Sequence, residues 1–209
     1  MIETPILEDL KKHRIEFSDS MACIVIAPKF SNKGYSDIMN RIGYLNLRSG
    51  ENLHFYCAGY GAYLPPSYAP DIEELPDGKI YEGTFIPWNF SQTLFAKFIN
   101  ELEDETNWKY SGNTELILLN KNLDFKNCIV FKIDEMIKDK IIESANDIIE
   151  ALIQASKQNS SVSKVSLEGL GKVSIEETIT AILTYLPKPF ESIWNVWKKG
   201  RHFTLVDLK

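Results

Sequence analysis

Met21-Ala-Cys-Ile-Val-Ile-Ala27 is a continuous apolar run, and Leu53-His-Phe-Tyr-Cys-Ala58 is a second one. Between them, residues 36–47 place apolar side chains at helical spacing, and a glycine follows, as is common after a helix. Two buried strands joined by a crossover helix predict a parallel pair inside an α/β sheet. Ligands of such sheets usually bind beyond the carboxyl ends of the strands, which here are residues 28–35 and 59–70.

The rest of the chain predicts further helices and strands. In chain order these are a helix at 5–17, a loop at 59–83, an edge strand at 84–88, a helix at 91–105, strands at 115–119 and 128–133, and a long helix from 134. The loop is predicted because its prolines and glycines interrupt any long element. The link between the two late strands is too short for a crossover helix, so these strands predict an antiparallel hairpin.

The predicted element order is β-α-β-α-β-β-α, and it fits two architectures. Both are α/β three-layer sandwiches with a mixed sheet, one of them thioredoxin-like and the other a small doubly wound sheet. The antiparallel hairpin favours the thioredoxin-like order. The Cys-x-x-Cys spacing of a thioredoxin redox motif does not occur in the sequence, so the fold prediction carries no redox activity with it.

Three segments of the chain differ in composition. Residues 1–157 carry the alternating elements and predict an α/β core domain. Residues 158–163 are polar and serine-rich, which predicts a linker. Residues 164–209 predict a C-terminal helical extension that packs on the core, with a capping box at Ser174 and a final strand at 202–206.

The composition argues against several classes of function. A formal charge of −6 disfavours broad nucleic-acid binding, which requires clustered Lys and Arg. No apolar run approaches the roughly 18 residues of a membrane span. Cys23, Cys57 and Cys128 each lie in an apolar run, which predicts buried thiols rather than a disulfide or a metal site. We therefore expect a cytoplasmic protein that uses no metal and no cofactor.

One candidate ligand site lies at the predicted strand ends. The amides at the start of the crossover helix would attract an anion, Lys29 would add positive charge, and Gly34 would let the backbone approach a phosphate. Two tyrosines from the long loop would cover the ligand. The competing interpretation is an ordinary capped loop with solvated lysines, beside tyrosines that pack over the sheet. The predicted ligand-binding residues are Lys29, Asn32, Gly34, Ser36, Tyr60 and Tyr63.

A second candidate surface lies in the C-terminal extension. Phe190, Trp194 and Trp197 recur at helical spacing and predict a surface that binds a protein partner or a second copy of the chain. No acid–base pair or nucleophile is recognisable, so the sequence identifies no catalytic residue.

The sequence therefore favours a non-catalytic intracellular interaction or regulatory module. Such a module would dock a partner through the C-terminal helices and the tyrosine-rich loop at 59–83. The alternative is a domain that binds a nucleotide or another small phosphate-bearing ligand at the ends of the first two strands, and this alternative includes a nucleotide-processing enzyme.

Overall fold

A computed structural model of the chain describes most of the predicted core and parts of the extension. The described residues are 2–4, 6–16, 21–30, 33–39, 41–50, 53–61, 64, 67–119, 128–161, 180, 182–187 and 201–206. The strands are β1 (Ile2–Thr4), β2 (Met21–Ile26), β3 (Leu53–Ala58), β4 (Tyr60–Gly61), β5 (Glu73–Tyr81), β6 (Thr84–Phe90), β7 (Glu115–Leu119), β8 (Cys128–Lys132) and β9 (Phe203–Val206). The helices are α1 (Leu7–Glu16), α2 (Lys33–Met39), α3 (Ile42–Ser49), α4 (Gln92–Glu105), α5 (Ile133–Lys138) and α6 (Ala145–Ser161).

Six of these strands form one mixed sheet in the order β1-β3-β2-β7-β8-β9. Strands β2 and β3 run parallel, with Met21 opposite Leu53 and Val25 opposite Cys57. Strand β1 extends the parallel part on the other side of β3, and it was not predicted because three residues carry too short a pattern. Strands β7, β8 and β9 follow on the side of β2, each antiparallel to its neighbour. The predicted parallel pair, the antiparallel hairpin, the final strand and the α/β class are confirmed.

Helices cover this sheet. Every residue of β7 is buried, as is every residue of β2 after Met21, so both faces of the central strands are covered. Helix α1 contacts α4, where Lys11 and Glu105 form an ion pair. Helices α2 and α3 contact α6, and the Arg48 side chain of α3 donates hydrogen bonds to the Glu150 carboxylate of α6.

The crossover between β2 and β3 contains two helices rather than the single predicted one. Arg41 separates α2 from α3, and its φ of −130° lies outside the helical range. Ser36 was placed at the start of the predicted helix, but it lies within α2. The helical spacing of the apolar residues is nevertheless reflected in burial, since Ile38 and Leu45 are both fully buried.

The predicted long helix after β8 is also divided. Helix α5 ends before Asp139, and Lys140 adopts a φ of +58°, a left-handed conformation that does not continue a helix. Helix α6 then continues to Ser161. Residues 158–161 of the predicted linker are therefore helical, and 162–163 lie outside the described residues.

Residues 59–83 were predicted as a loop, but they contain β4 and β5. These strands flank β6 in a second, antiparallel sheet, so β6 is a central strand rather than the predicted edge strand. Glu82 and Gly83 form the turn between β5 and β6, and both have positive φ, as in tight hairpin turns. The sheet accommodates Pro76 because β5 is an edge strand whose register shifts between Glu74 and Gly78.

The described parts of the C-terminal extension pack on the core. Ile182, Leu183 and Leu186 belong to the main hydrophobic cluster, and β9 forms one edge of the main sheet. Just before β9, the fully buried His202 places its Nε2 atom 2.7 Å from Oδ2 of Asp139. This contact ties the start of β9 to the end of α5.

Candidate functional site

Internal contacts bury several side chains at the carboxyl ends of β2 and β3, within the residues that the structure describes. Tyr60 follows β3, is fully buried, and donates a hydrogen bond of 2.9 Å from its hydroxyl to the carbonyl oxygen of Ala27. Its ring lies 4.6 Å from that of Phe90 between centroids. Tyr60 was predicted to cover a ligand; its side chain is buried in the core in this structure, and its role toward a ligand stays a prediction.

Helix α4 approaches this edge closely. Gly59 has a φ of +77°, and a Cβ atom at this position would lie 2.7 Å from Cβ of Phe95 and 2.9 Å from its backbone. Ser91 caps α4 by accepting a hydrogen bond from the Leu94 amide. Asp71 accepts hydrogen bonds from the Ser91 hydroxyl and the Thr93 amide, which ties the loop before β5 to the start of α4.

The predicted anion-binding residues have internal partners here. Lys29 lies at the end of β2, is partly exposed, and forms an ion pair with Glu73 at the start of β5. A Cβ atom on Gly34 would lie 2.5 Å from Oγ1 of Thr114, so this glycine permits close packing between α2 and the residue before β7. Ser36 is exposed on α2. The ligand-binding assignment of these residues stays a prediction.

Five predicted site residues lie outside the described residues. These are Asn32, Tyr63, Phe190, Trp194 and Trp197. Of the predicted ligand-binding residues, the structure brings Lys29 and Tyr60 near one another, since both interact with Tyr35 and both lie near Glu73.

A polar cluster at this edge was not predicted. It contains Tyr35, Tyr60, Tyr110 and Glu115, which come from four separate parts of the chain. Tyr35 forms a side-chain hydrogen bond with Tyr60, and the pKa of Tyr60 is raised by burial and by its neighbours Tyr35 and Tyr110. Within the described part of the chain, the buried Tyr110 hydroxyl has no hydrogen-bond partner.

Glu115 is the buried carboxyl group of this cluster. Trp108 donates a hydrogen bond of 2.9 Å from Nε1 to Oε2 of Glu115. Burial raises the pKa of Glu115, while hydrogen bonds from Ser111 and Trp108 and the charge of Lys132 oppose the rise. An acidic residue at the start of an otherwise apolar strand was the sequence signal that could have identified it.

The cysteines are buried, as predicted. Burial raises the pKa of Cys57 to about 12 and that of Cys23 well above its ordinary value. Thiols in this state stay protonated near neutral pH, so neither group is available as a thiolate nucleophile.

The outer side of α3 carries exposed apolar side chains. Leu47 on α3 is 84 % exposed, and Tyr44, one turn earlier, is 51 % exposed. Both alternate in sequence with the buried Ile42 and Leu45 and lie on the outer side of the helix. Large apolar side chains are normally scattered singly on a protein surface, and two on adjacent turns of a short helix form a small patch.

Comparisons with known proteins give no family. The chain matches no protein-family model, and searches of curated proteins and of solved structures find no significant match. Within the described ranges, no helix combines the length and the hydropathy needed to cross a lipid bilayer. The same residues contain no group of three His, Cys, Asp or Glu side chains placed to hold a metal ion.

Proposed function

We propose that this chain is a non-catalytic protein-interaction module of the cytoplasm, with α3 as a docking surface. The observation that supports this proposal best is the pair of exposed apolar side chains, Tyr44 and Leu47, on a helix whose opposite side is buried in the core. Exposed aromatic and aliphatic side chains on a helix are typical anchors of helix-mediated protein contacts.

The small-ligand alternative has less support. Glu73 compensates the charge of Lys29, Thr114 fills the space beside Gly34, and Tyr60 is buried. A phosphate site would need an uncompensated cation and accessible backbone amides at the same place.

Two further parts of the docking surface remain proposals. Phe190, Trp194 and Trp197 are proposed as partner contacts from their spacing in the sequence. Tyr68, in the loop before β5, is 48 % exposed, so a partner could reach this tyrosine of the tyrosine-rich segment.

The finer fold is proposed to be a thioredoxin-like three-layer sandwich. In support, β3, β2, β7 and β8 lie side by side in that order, and β7 alone among the four is antiparallel to the others. This order joins a βαβ half to a ββα half through a long connection that contains α4. The proposal concerns the fold and carries no activity with it.

Site-specific photo-crosslinking tests the proposed function. A photo-reactive amino acid replaces Leu47 in the full chain, and the cells that naturally produce the protein are irradiated. We expect discrete crosslinked species from this position. The matched control replaces Asp104, which is exposed on α4 and belongs to a different part of the surface. Equal or absent crosslinking at the two positions would rule out α3 as a docking surface.

A further inference from the structure

We draw no further inference here: the strongest candidate, the outer edge of β9 (Phe203–Val206) at the end of the main sheet, carries nothing because nothing in the part of the chain that the structure describes shows what covers it.

Discussion

The carboxyl edge of the main sheet and the outer side of α3 contain similar kinds of residues in different surroundings. At the carboxyl edge, Tyr60 and Glu115 are buried and hydrogen-bonded within the chain. On the outer side of α3, Tyr44 and Leu47 are exposed. Topology alone would place function at the edge, whereas the side chains leave the helical face available for contact.

This difference shows that the position of a side chain at a strand end does not by itself leave it exposed. The edge becomes part of the core where a second sheet and α4 close over it. The outer side of a crossover helix is usually polar and solvated in an α/β fold. Here it carries exposed apolar side chains.

The largest effect is expected at Gly59, where the edge is most tightly packed. Gly59→Ala should destabilise the fold by about 2–5 kcal/mol, the sum of left-handed backbone strain and overpacking against Phe95. Urea unfolding measures this change in the free energy of unfolding.

Gly83→Ala is the matched control for this substitution. Gly83 has a φ of +80°, close to the +77° of Gly59, but a Cβ atom there would meet nothing within 4 Å. Only the backbone strain of about 1–2 kcal/mol should remain. Equal losses of stability for the two variants would mean that Phe95 does not pack tightly against Gly59.

The next expected effect concerns the buried carboxyl group of Glu115. Its raised pKa means that the folded state keeps the proton at a pH where the unfolded chain has released it, so wild-type stability falls as pH rises above about 4.5. Glu115→Gln should remove this dependence and be at least as stable as the wild type at pH 7, with its advantage shrinking toward pH 4.5.

Unfolding measured at several pH values checks the Glu115 prediction. Glu74→Gln, on an exposed residue of β5, provides the comparison and should leave the pH profile unchanged. A Glu115→Gln variant that is less stable than the wild type at pH 7 would show that the ionised carboxylate favours folding.

A smaller, local effect is expected at Asp139. Its carboxylate accepts hydrogen bonds from Arg201 Nη2 at 3.0 Å and from His202 Nε2 at 2.7 Å, and it forms an ion pair with Arg201. Asp139→Asn replaces one accepting oxygen with a donor, so hydrogen exchange at Phe203–Val206 should become severalfold faster. Lys138→Gln, one residue earlier, should not change that exchange.

The pH dependence of this contact has the opposite sign from that of Glu115. The hydrogen bond from His202 is the main cause that lowers the pKa of Asp139, and the positive charge of Arg201 adds to it. The stabilisation is therefore present above the unfolded value of 3.8 and is lost as pH falls through the folded value. Slower exchange at β9 in acid, after correction for intrinsic rates, would contradict this.

The smallest effect on stability is expected at Leu47. Leu47→Gln keeps a good helix former at an exposed position, so the free energy of unfolding at low protein concentration should change by less than about 0.5 kcal/mol. A large loss of stability would indicate that Leu47 contributes to the core rather than to the surface.

Much of the main sheet was predictable because its strands are long apolar runs. Residues 21–27 and 53–58 are buried on both faces, and this burial leaves a continuous pattern in the sequence. Strand β5 was missed for the opposite reason, since its acids, Pro76 and Gly78 match no strand pattern and its conformation depends on pairing with β6.

The candidate sites were less predictable than the fold. Tyr35, Tyr60, Tyr110 and Glu115 are far apart in the sequence, and none stands in a motif. Lys29 was identified by its position after a strand, but the sequence contains no sign that Glu73 would pair with it.

The amino-acid sequence alone was sufficient for the parallel β2–β3 pair, the β7–β8 hairpin and the burial of the three cysteines, because each depends on local apolar pattern and on the length of a connection. Only the tertiary structure decided that Tyr60 and Glu115 are buried at the strand ends and that α3 exposes Tyr44 and Leu47. Those outcomes depend on which distant segments pack together, and hydrophobic burial, which drives that packing, is non-directional and leaves no record in local sequence.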